Sequence, residues 1–182
     1  MQHKTIALLC TLLLAQSAAA VPYPTPQTAA GTIQIAFTPG DAADQLIIYA
    51  IKHARQQILV QAYSFTHLGI ADALIKAHQR GLDVIVIADK NQDEHIPTSL
   101  IHDLALTGIT VLTDSEHSSA HNKVMIIDAD SPHPAVITGS YNFTHAAQYM
   151  NAENLLILRD NPILTRAYYD NWQRHYLHSL PL

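Results

Sequence analysis

The stretch RGLDVIVIAD, residues 80–89, decides the fold class. A helical spacing of apolar residues over Leu68–Arg80 leads into it, and Gly81 stands where the residue after a helix often adopts a left-handed conformation. Residues 82–88 then form a continuous apolar run. Such a run predicts a strand that is covered on both faces, as in a parallel sheet between helices.

The same order of helix, glycine and strand recurs directly downstream. A helix is predicted over Ser99–Thr107, Gly108 ends it, and ITVL at 109–112 follows as a strand. Two such units in succession favour an α/β sheet with right-handed crossovers.

The segment upstream of these units fits the same sheet. It predicts a strand at 32–37, a helix from Ala42 to about Gln56 and a strand at 58–65. The run Asp89–Glu94 is densely charged, and we expect a solvated loop there.

The C-terminal half follows a different pattern. Strands are predicted at 122–128 and 135–139, and the short proline-containing segment between them predicts a hairpin. A further strand is predicted at 153–159. The fold class is therefore α/β, with a mixed, mainly parallel β-sheet flanked by helices on both faces.

A final helix follows this last strand. Asn161 and Pro162 supply an N-cap and an N1 proline. Tyr168 and Trp172 lie on one stripe of the helix, where aromatic residues are typical of core or dimer packing.

The N-terminus has the pattern of a secretory signal peptide. A short basic segment precedes an apolar stretch over Thr5–Gln16, and Ala18–Ala20 is a small-residue cleavage site. We therefore predict a signal peptide at 1–20, a linker at 21–31 and one domain at 32–182, in a periplasmic or secreted protein. A membrane anchor is the alternative, disfavoured because the apolar stretch is only about a dozen residues long.

Composition excludes several classes of protein. The 182 residues are 48% hydrophobic and 14% charged, which excludes a disordered chain. No apolar run beyond the signal peptide reaches about 20 residues, so no stable membrane insertion is expected. The net charge of −5, one unit more negative once Lys4 is removed, argues against an ordinary basic nucleic-acid binder.

The residues that carry chemistry begin with HNKVMIID, 121–128. Because side chains alternate along a strand, His121 and Lys123 project together, whereas Asp128 falls on the opposite face unless a bulge intervenes. A shuffled chain would contain this spacing of histidine, lysine and aspartate about 0.02 times.

The segment GSYNF, 139–143, follows on the next strand. Ser140 and Asn142 share one side of the chain. Together with the histidine and lysine they form a pocket in which Lys123 and Asn142 donate hydrogen bonds to phosphate oxygens.

This pattern, HxKxxxxD followed by GSxN, resembles the signature of the phospholipase D superfamily. AYSFT at 62–66, RGLDVIVIAD at 80–89 and GITVLTDS at 108–115 are similar to the small secreted or plasmid-encoded endonucleases of that superfamily. The resemblance covers essentially all of residues 32–178 and implies a phosphodiesterase with the superfamily's fold.

The resemblance also implies a role for each matched residue. His121 would attack phosphorus and form a phosphohistidine, and His121 of a second copy would protonate the leaving oxygen. The chain has a single copy of the motif, so this chemistry predicts a homodimer without a metal or other cofactor. Of the remaining matched residues, Lys123 and Asn142 would bind phosphate, Ser140 would support the site, Glu153 would orient the imidazole, and Asp128 would be structural.

Two features remain outside the motif. Ten residues, 129–138, separate Asp128 from the glycine of GSxN where the family has about six, which predicts a longer hairpin tip. The pairs His117/His121 and His175/His178 have spacings that suggest metal ligands. No carboxylate or cysteine pattern completes either pair, so no metal site is expected.

The motif does not choose between nucleic acid and phospholipid. The upstream matches favour a nuclease that hydrolyses DNA or RNA with little base preference, because backbone contacts carry no sequence information. The sequence shows no apolar loop or amphipathic stretch suited to a membrane surface, so phospholipid hydrolysis is the alternative. An inactive binding domain is a third possibility.

Overall fold

The computed structural model describes residues 23–182, so the predicted signal peptide lies outside the described residues. Residues 23–30 are exposed and have no regular secondary structure. Within 23–182 none of the helices combines the length and apolarity needed to span a bilayer.

Eight strands and six helices are described. The strands are β1 (Thr32–Thr38), β2 (Gln57–Ala62), β3 (Asp83–Asp89), β4 (Thr110–Asp114), β5 (Lys123–Ile127), β6 (Ala135–Gly139), β7 (Glu153–Arg159) and β8 (Leu180–Pro181). The helices are α1 (Ala43–His53), α2 (Leu68–Gln79), α3 (Lys90–His95), α4 (Ile101–Leu106), α5 (His145–Tyr149) and α6 (Pro162–His178).

All eight strands form one sheet in the order β1-β7-β6-β5-β2-β3-β4-β8. The predicted mixed sheet with flanking helices is confirmed, but the expectation that it is mainly parallel was wrong. Among the described strands, only β2–β3 and β3–β4 pair in parallel, and the other five pairings are antiparallel. The two helix–glycine–strand units contribute β3 and β4, which pair in parallel next to β2. The antiparallel pairings are made by β1, by the β5–β6 hairpin with its neighbours, and by β8.

The sheet buries a core on each face. Helices α1, α2, α4 and α5 contribute to the larger core, with Ile47, Leu74 and Ile101 fully buried. Helix α6 covers part of the other face, where Trp172 packs against Leu59 and Ile126. The predicted core stripe of α6 is confirmed, and the indole of Trp172 also donates a hydrogen bond to the Val60 carbonyl at 3.2 Å.

The charged run after β3 folds as a helix, so the expectation of a solvated loop was wrong. The Asp89 carboxylate caps α3 by accepting the Gln92 N–H at 2.8 Å. Asp93 is buried and accepts the Ser99 hydroxyl at 2.6 Å. These local hydrogen bonds give the acidic residues partners that composition alone does not reveal.

Asp128 lies at the end of β5 that is remote from His121. Its carboxylate accepts the backbone N–H groups of Arg55, Gln56 and Gln57 at 2.7 to 2.9 Å. The long hairpin of residues 129–134 begins at the same end. The loop that departs from the family pattern therefore lies away from the histidine and lysine.

We predict that Asp128→Ala lowers the free energy of unfolding by about 3 kcal/mol, because it leaves three backbone donors without their charged acceptor. Chemical denaturation measures this loss. Asp130→Ala, which removes an exposed carboxylate two residues away, is the matched control and changes stability by less than about 0.5 kcal/mol. Equal stability of the two variants would contradict the anchoring role of Asp128.

Candidate active site

His121 and Lys123 lie at the edge of the sheet where β2 and β3 end. Lys123 is the first residue of β5 and pairs with Ala62, the last residue of β2. Its side chain is buried, whereas His121 is exposed. The Lys123 ammonium lies 3.0 Å from Nδ1 of His121 and donates to the His121 carbonyl at 2.7 Å.

This contact decides which nitrogen of a neutral His121 ring accepts a hydrogen bond. Burial lowers the pKa of Lys123 below its usual range, and the Glu153 carboxylate opposes part of that shift. An ammonium group can only donate hydrogen bonds, so Nδ1 of His121 accepts and the ring proton lies on Nε2. A bound phosphate would compete with Nδ1 for the same ammonium.

Tyr63 is a residue of the site that the sequence analysis did not single out. Its ring lies against the imidazole of His121, with centroids 4.2 Å apart, and 4.7 Å from the ammonium of Lys123. Its backbone N–H donates to the carbonyl of Asn122 at 3.0 Å. Tyr63 directly follows β2, and this position is the sequence feature that could have identified it.

Ser140 is positioned by the glycine that precedes it. Gly139 has φ +148°, and a Cβ on it would meet the carbonyl oxygen of Asn154 at 2.3 Å. This close approach lets the N–H groups of Ser140 and Tyr141 donate to that oxygen at 3.1 and 3.3 Å. The first residue of GSxN must therefore be glycine for the backbone to turn here.

Glu153 lies beside Ser140 and Asn151. Its carboxylate accepts the Ser140 hydroxyl at 2.5 Å and the Asn151 amide at 3.1 Å. No hydrogen bond joins it to His121 within residues 23–182. That Glu153 orients an imidazole stays a prediction, and within the described chain Lys123 and Tyr63 lie against the His121 ring.

Asn142 carries a buried amide oxygen that has no hydrogen-bond partner in the described part of the chain. The next residue, Phe143, is fixed by a bridge to Phe65, and its carbonyl accepts the N–H of Thr66 at 3.0 Å. The backbone that follows Asn142 is thus anchored. Because the buried oxygen is an acceptor, the amide nitrogen is the atom of Asn142 that can donate to a phosphate oxygen.

A polar network lies beneath these residues. The side-chain oxygen of Gln148 accepts the N–H of Asp44 at 3.0 Å and the hydroxyl of Tyr141 at 3.3 Å. Burial raises the pKa of Tyr141, so its hydroxyl stays a donor. The network ties the start of α1 to α5, and sequence spacing gave no sign of it because Asp44 lies 104 residues from Gln148.

Comparison with known proteins now places the chain in a family. The family model described as "Cardiolipin synthase, PLD-like domain" matches residues 47–175. Phospholipase D of Rickettsia typhi is 35% identical over 150 residues, which cover 82% of this chain and 71% of that protein. The chain belongs to the phospholipase D family. The resemblance drawn from HxKxxxxD and GSxN is confirmed, and the protein is a phosphodiesterase of that superfamily.

Other phospholipase D family proteins match in sequence or structure. Mitochondrial cardiolipin hydrolase of Xenopus laevis is 30% identical and matches 74% of this chain and 61% of its own. The crystal structure of Nuc from Salmonella typhimurium, described as a phospholipase D family member, superposes with a TM-score of 0.78 at 32% identity. It covers 84% of this chain and 99% of Nuc. NucT from Helicobacter pylori shares the fold, with a TM-score of 0.75 at 24% identity, over 83% of this chain and 99% of NucT.

We predict that Tyr63→Leu lowers kcat for a chromogenic phosphodiester by about tenfold or more, because the imidazole and ammonium lose the ring that supports them. Tyr63→Phe keeps the ring and retains most of the activity. Steady-state kinetics on bis(p-nitrophenyl) phosphate measures both variants. Full activity of Tyr63→Leu would show that the ring does not position His121.

Proposed function

We propose that the protein is a metal-independent endonuclease that hydrolyses DNA or RNA through a phosphohistidine on His121. The observation that carries the proposal is the exposed imidazole held by a buried ammonium at an open sheet edge. Such a pair recognises a phosphodiester without reading a base. The likeness to Nuc at 32% identity and a TM-score of 0.78 supports the proposal.

The first chemical step transfers the phosphoryl group to His121. Phosphate draws Lys123 away from Nδ1, the ring proton moves to Nδ1, and the Nε2 lone pair attacks phosphorus. The bond from phosphorus to the leaving oxygen breaks, and an imidazolium from a second copy protonates that oxygen. Lys123 and Asn142 donate to the oxygens on which negative charge accumulates.

The second step returns the enzyme to its starting state. The second imidazole, now neutral, accepts a proton from water as the water oxygen attacks phosphorus. The bond from phosphorus to Nε2 breaks and the monoester leaves. Histidine suits both roles because its ordinary pKa of about 6.5 lets one ring be neutral and another protonated.

A homodimer supplies the second imidazole in this proposal. The apolar stripe of β1, formed by Ile33, Ile35 and Phe37, is exposed on the face of the sheet opposite Ala36. Phe37 is 62% exposed and adjoins Thr38, which pairs with Glu153 at the site end of the sheet. An exposed apolar stripe that ends beside the site favours a second copy of the chain there.

Hydrolysis of phospholipid is the second candidate. The sequence showed no apolar surface element, yet Met150 is 74% exposed and stands beside Asn151, which donates to Glu153. Two of the relatives are named phospholipase D and cardiolipin hydrolase. An apolar side chain at the rim of the site would suit a lipid surface.

Parallel assays on plasmid DNA, single-stranded DNA, RNA and phosphatidylglycerol vesicles, all in excess EDTA, test the proposal. We expect cleavage of nucleic acid but not lipid, and loss of at least about a thousandfold in His121→Ala. His133→Ala, a change in an exposed histidine next to Asp160, is the control that retains activity. Activity on lipid alone, or activity that returns with Mg²⁺ but not with Zn²⁺, would overturn the proposal.

We predict that Phe37→Asp converts the dimer to a monomer and lowers diester cleavage at least about a hundredfold, because the general acid is lost. Analytical ultracentrifugation and kinetics measure the two effects. Leu106→Asp, at an exposed apolar residue of α4, is the control that leaves both unchanged. A fully active monomer would contradict the shared site, and an intact Phe37→Asp dimer would contradict the assigned interface.

A further inference from the structure

A second cluster of titratable side chains lies at the end of β4. Asp114 is the last residue of that strand, and its Oδ2 lies 2.7 Å from Nδ1 of His175, 3.1 Å from Nε2 of His178 and 3.2 Å from Nδ1 of His117. His117 belongs to the β4–β5 loop, whereas His175 and His178 are the last-turn histidines of α6. Three imidazoles thus converge on one carboxylate.

The separations match those of a four-coordinate metal site. One ligand atom from each residue lies within 4.8 Å of all the others. In a tetrahedral zinc site with bonds of about 2.0 to 2.1 Å, neighbouring ligand atoms are about 3.3 Å apart. The contacts of Asp114 with the three rings are close to this value, so an ion requires only small adjustments of side chains.

Glu116 contacts the cluster from outside it. Its carboxylate lies 3.2 Å from Nδ1 of His178, the ring nitrogen that faces away from Asp114. A carboxylate only accepts hydrogen bonds, so Nδ1 carries a proton, and Nε2 is the ring atom that would bind a metal. At zinc sites, a histidine ligand commonly donates its other ring N–H to a carboxylate.

The environment suits a bound ion with an entry path. The Asp114 side chain is fully buried, whereas that of His117 is 48% exposed and leaves one side open.

We propose that Asp114, His117, His175 and His178 bind one Zn²⁺ ion. Three imidazoles and a carboxylate are ligands that zinc prefers, and four protein ligands make a closed site that stabilises structure and performs no chemistry. Here the sequence-based expectation of no metal site is revised. The carboxylate that completes the set lies 61 residues from His175 and could not be read from spacing.

The ion would cross-link two parts of the chain. It joins α6 to the β4–β5 loop four residues before His121, while β8 pairs with β4 directly after α6. The same loop is held nearby by the Ala120 N–H, which donates to Asp89 at 2.7 Å. The only cysteine, Cys10, lies in the predicted signal peptide. A metal would thus supply the cross-link that a disulfide gives other exported domains.

Zinc binding is measured directly on the purified protein after EDTA treatment and dialysis. Titration with Zn²⁺ against a chromogenic chelator is expected to give one ion per chain, with a dissociation constant below about 1 µM. Excess zinc is expected to raise Tm by about 5 °C or more. With Co²⁺ in place of zinc, the visible spectrum is expected to be that of a tetrahedral ion.

His117→Ala is the sharpest variant because it changes an exposed loop residue, and circular dichroism verifies that it folds. It and His178→Gln are expected to weaken zinc binding at least about a hundredfold. His121→Ala and His133→Ala, which alter histidines outside the cluster, are expected to bind as the wild type does.

Less than about 0.1 zinc per chain at micromolar zinc, or unchanged binding in both cluster variants, would overturn the site. Loss of binding in His121→Ala would assign the ion to the active site instead and would also overturn it. None of these readouts depends on catalysis, so they are independent of the proposed nuclease activity.

Discussion

The structure depends on the pairing of β5 as an antiparallel strand on both sides, with β2 and β6. Its five residues are all buried, so its register cannot slip without moving apolar groups out of the core. That register sets Lys123 at one end, beside His121, and Asp128 at the other, where it accepts three backbone N–H groups. His121 and Lys123 thus lie at one end of β5, and Asp128 of the same motif lies at the other end.

Much of this arrangement could be predicted from sequence because it is local. The apolar run after Gly81 gave β3, the Asn161–Pro162 pair gave the start of α6, and strand alternation placed Asp128 apart from His121. Long-range pairing could not be predicted in the same way. That β1 pairs with β7, that Glu153 meets Ser140, and that Asp114 meets the histidines of α6 are all consequences of the strand order.

The negative net charge has a different meaning once the site is known. A nucleic-acid binder that relies on a basic face needs many exposed lysines and arginines. Here one buried ammonium, Lys123, faces the imidazole that it would share with phosphate. Burial strengthens its electrostatic effect at short range, so transition-state stabilisation does not require a positively charged surface. Several histidines, among them His102 and His133, contact carboxylates.

The stereochemical course at phosphorus tests the covalent mechanism most directly. A dinucleoside phosphorothioate of known configuration is cleaved in ¹⁸O-labelled water, and the configuration of the product is determined. Attack by His121 followed by attack by water inverts phosphorus twice, so the account predicts net retention. Net inversion would mean that water attacks the diester in one step, and it would contradict a phosphohistidine on His121.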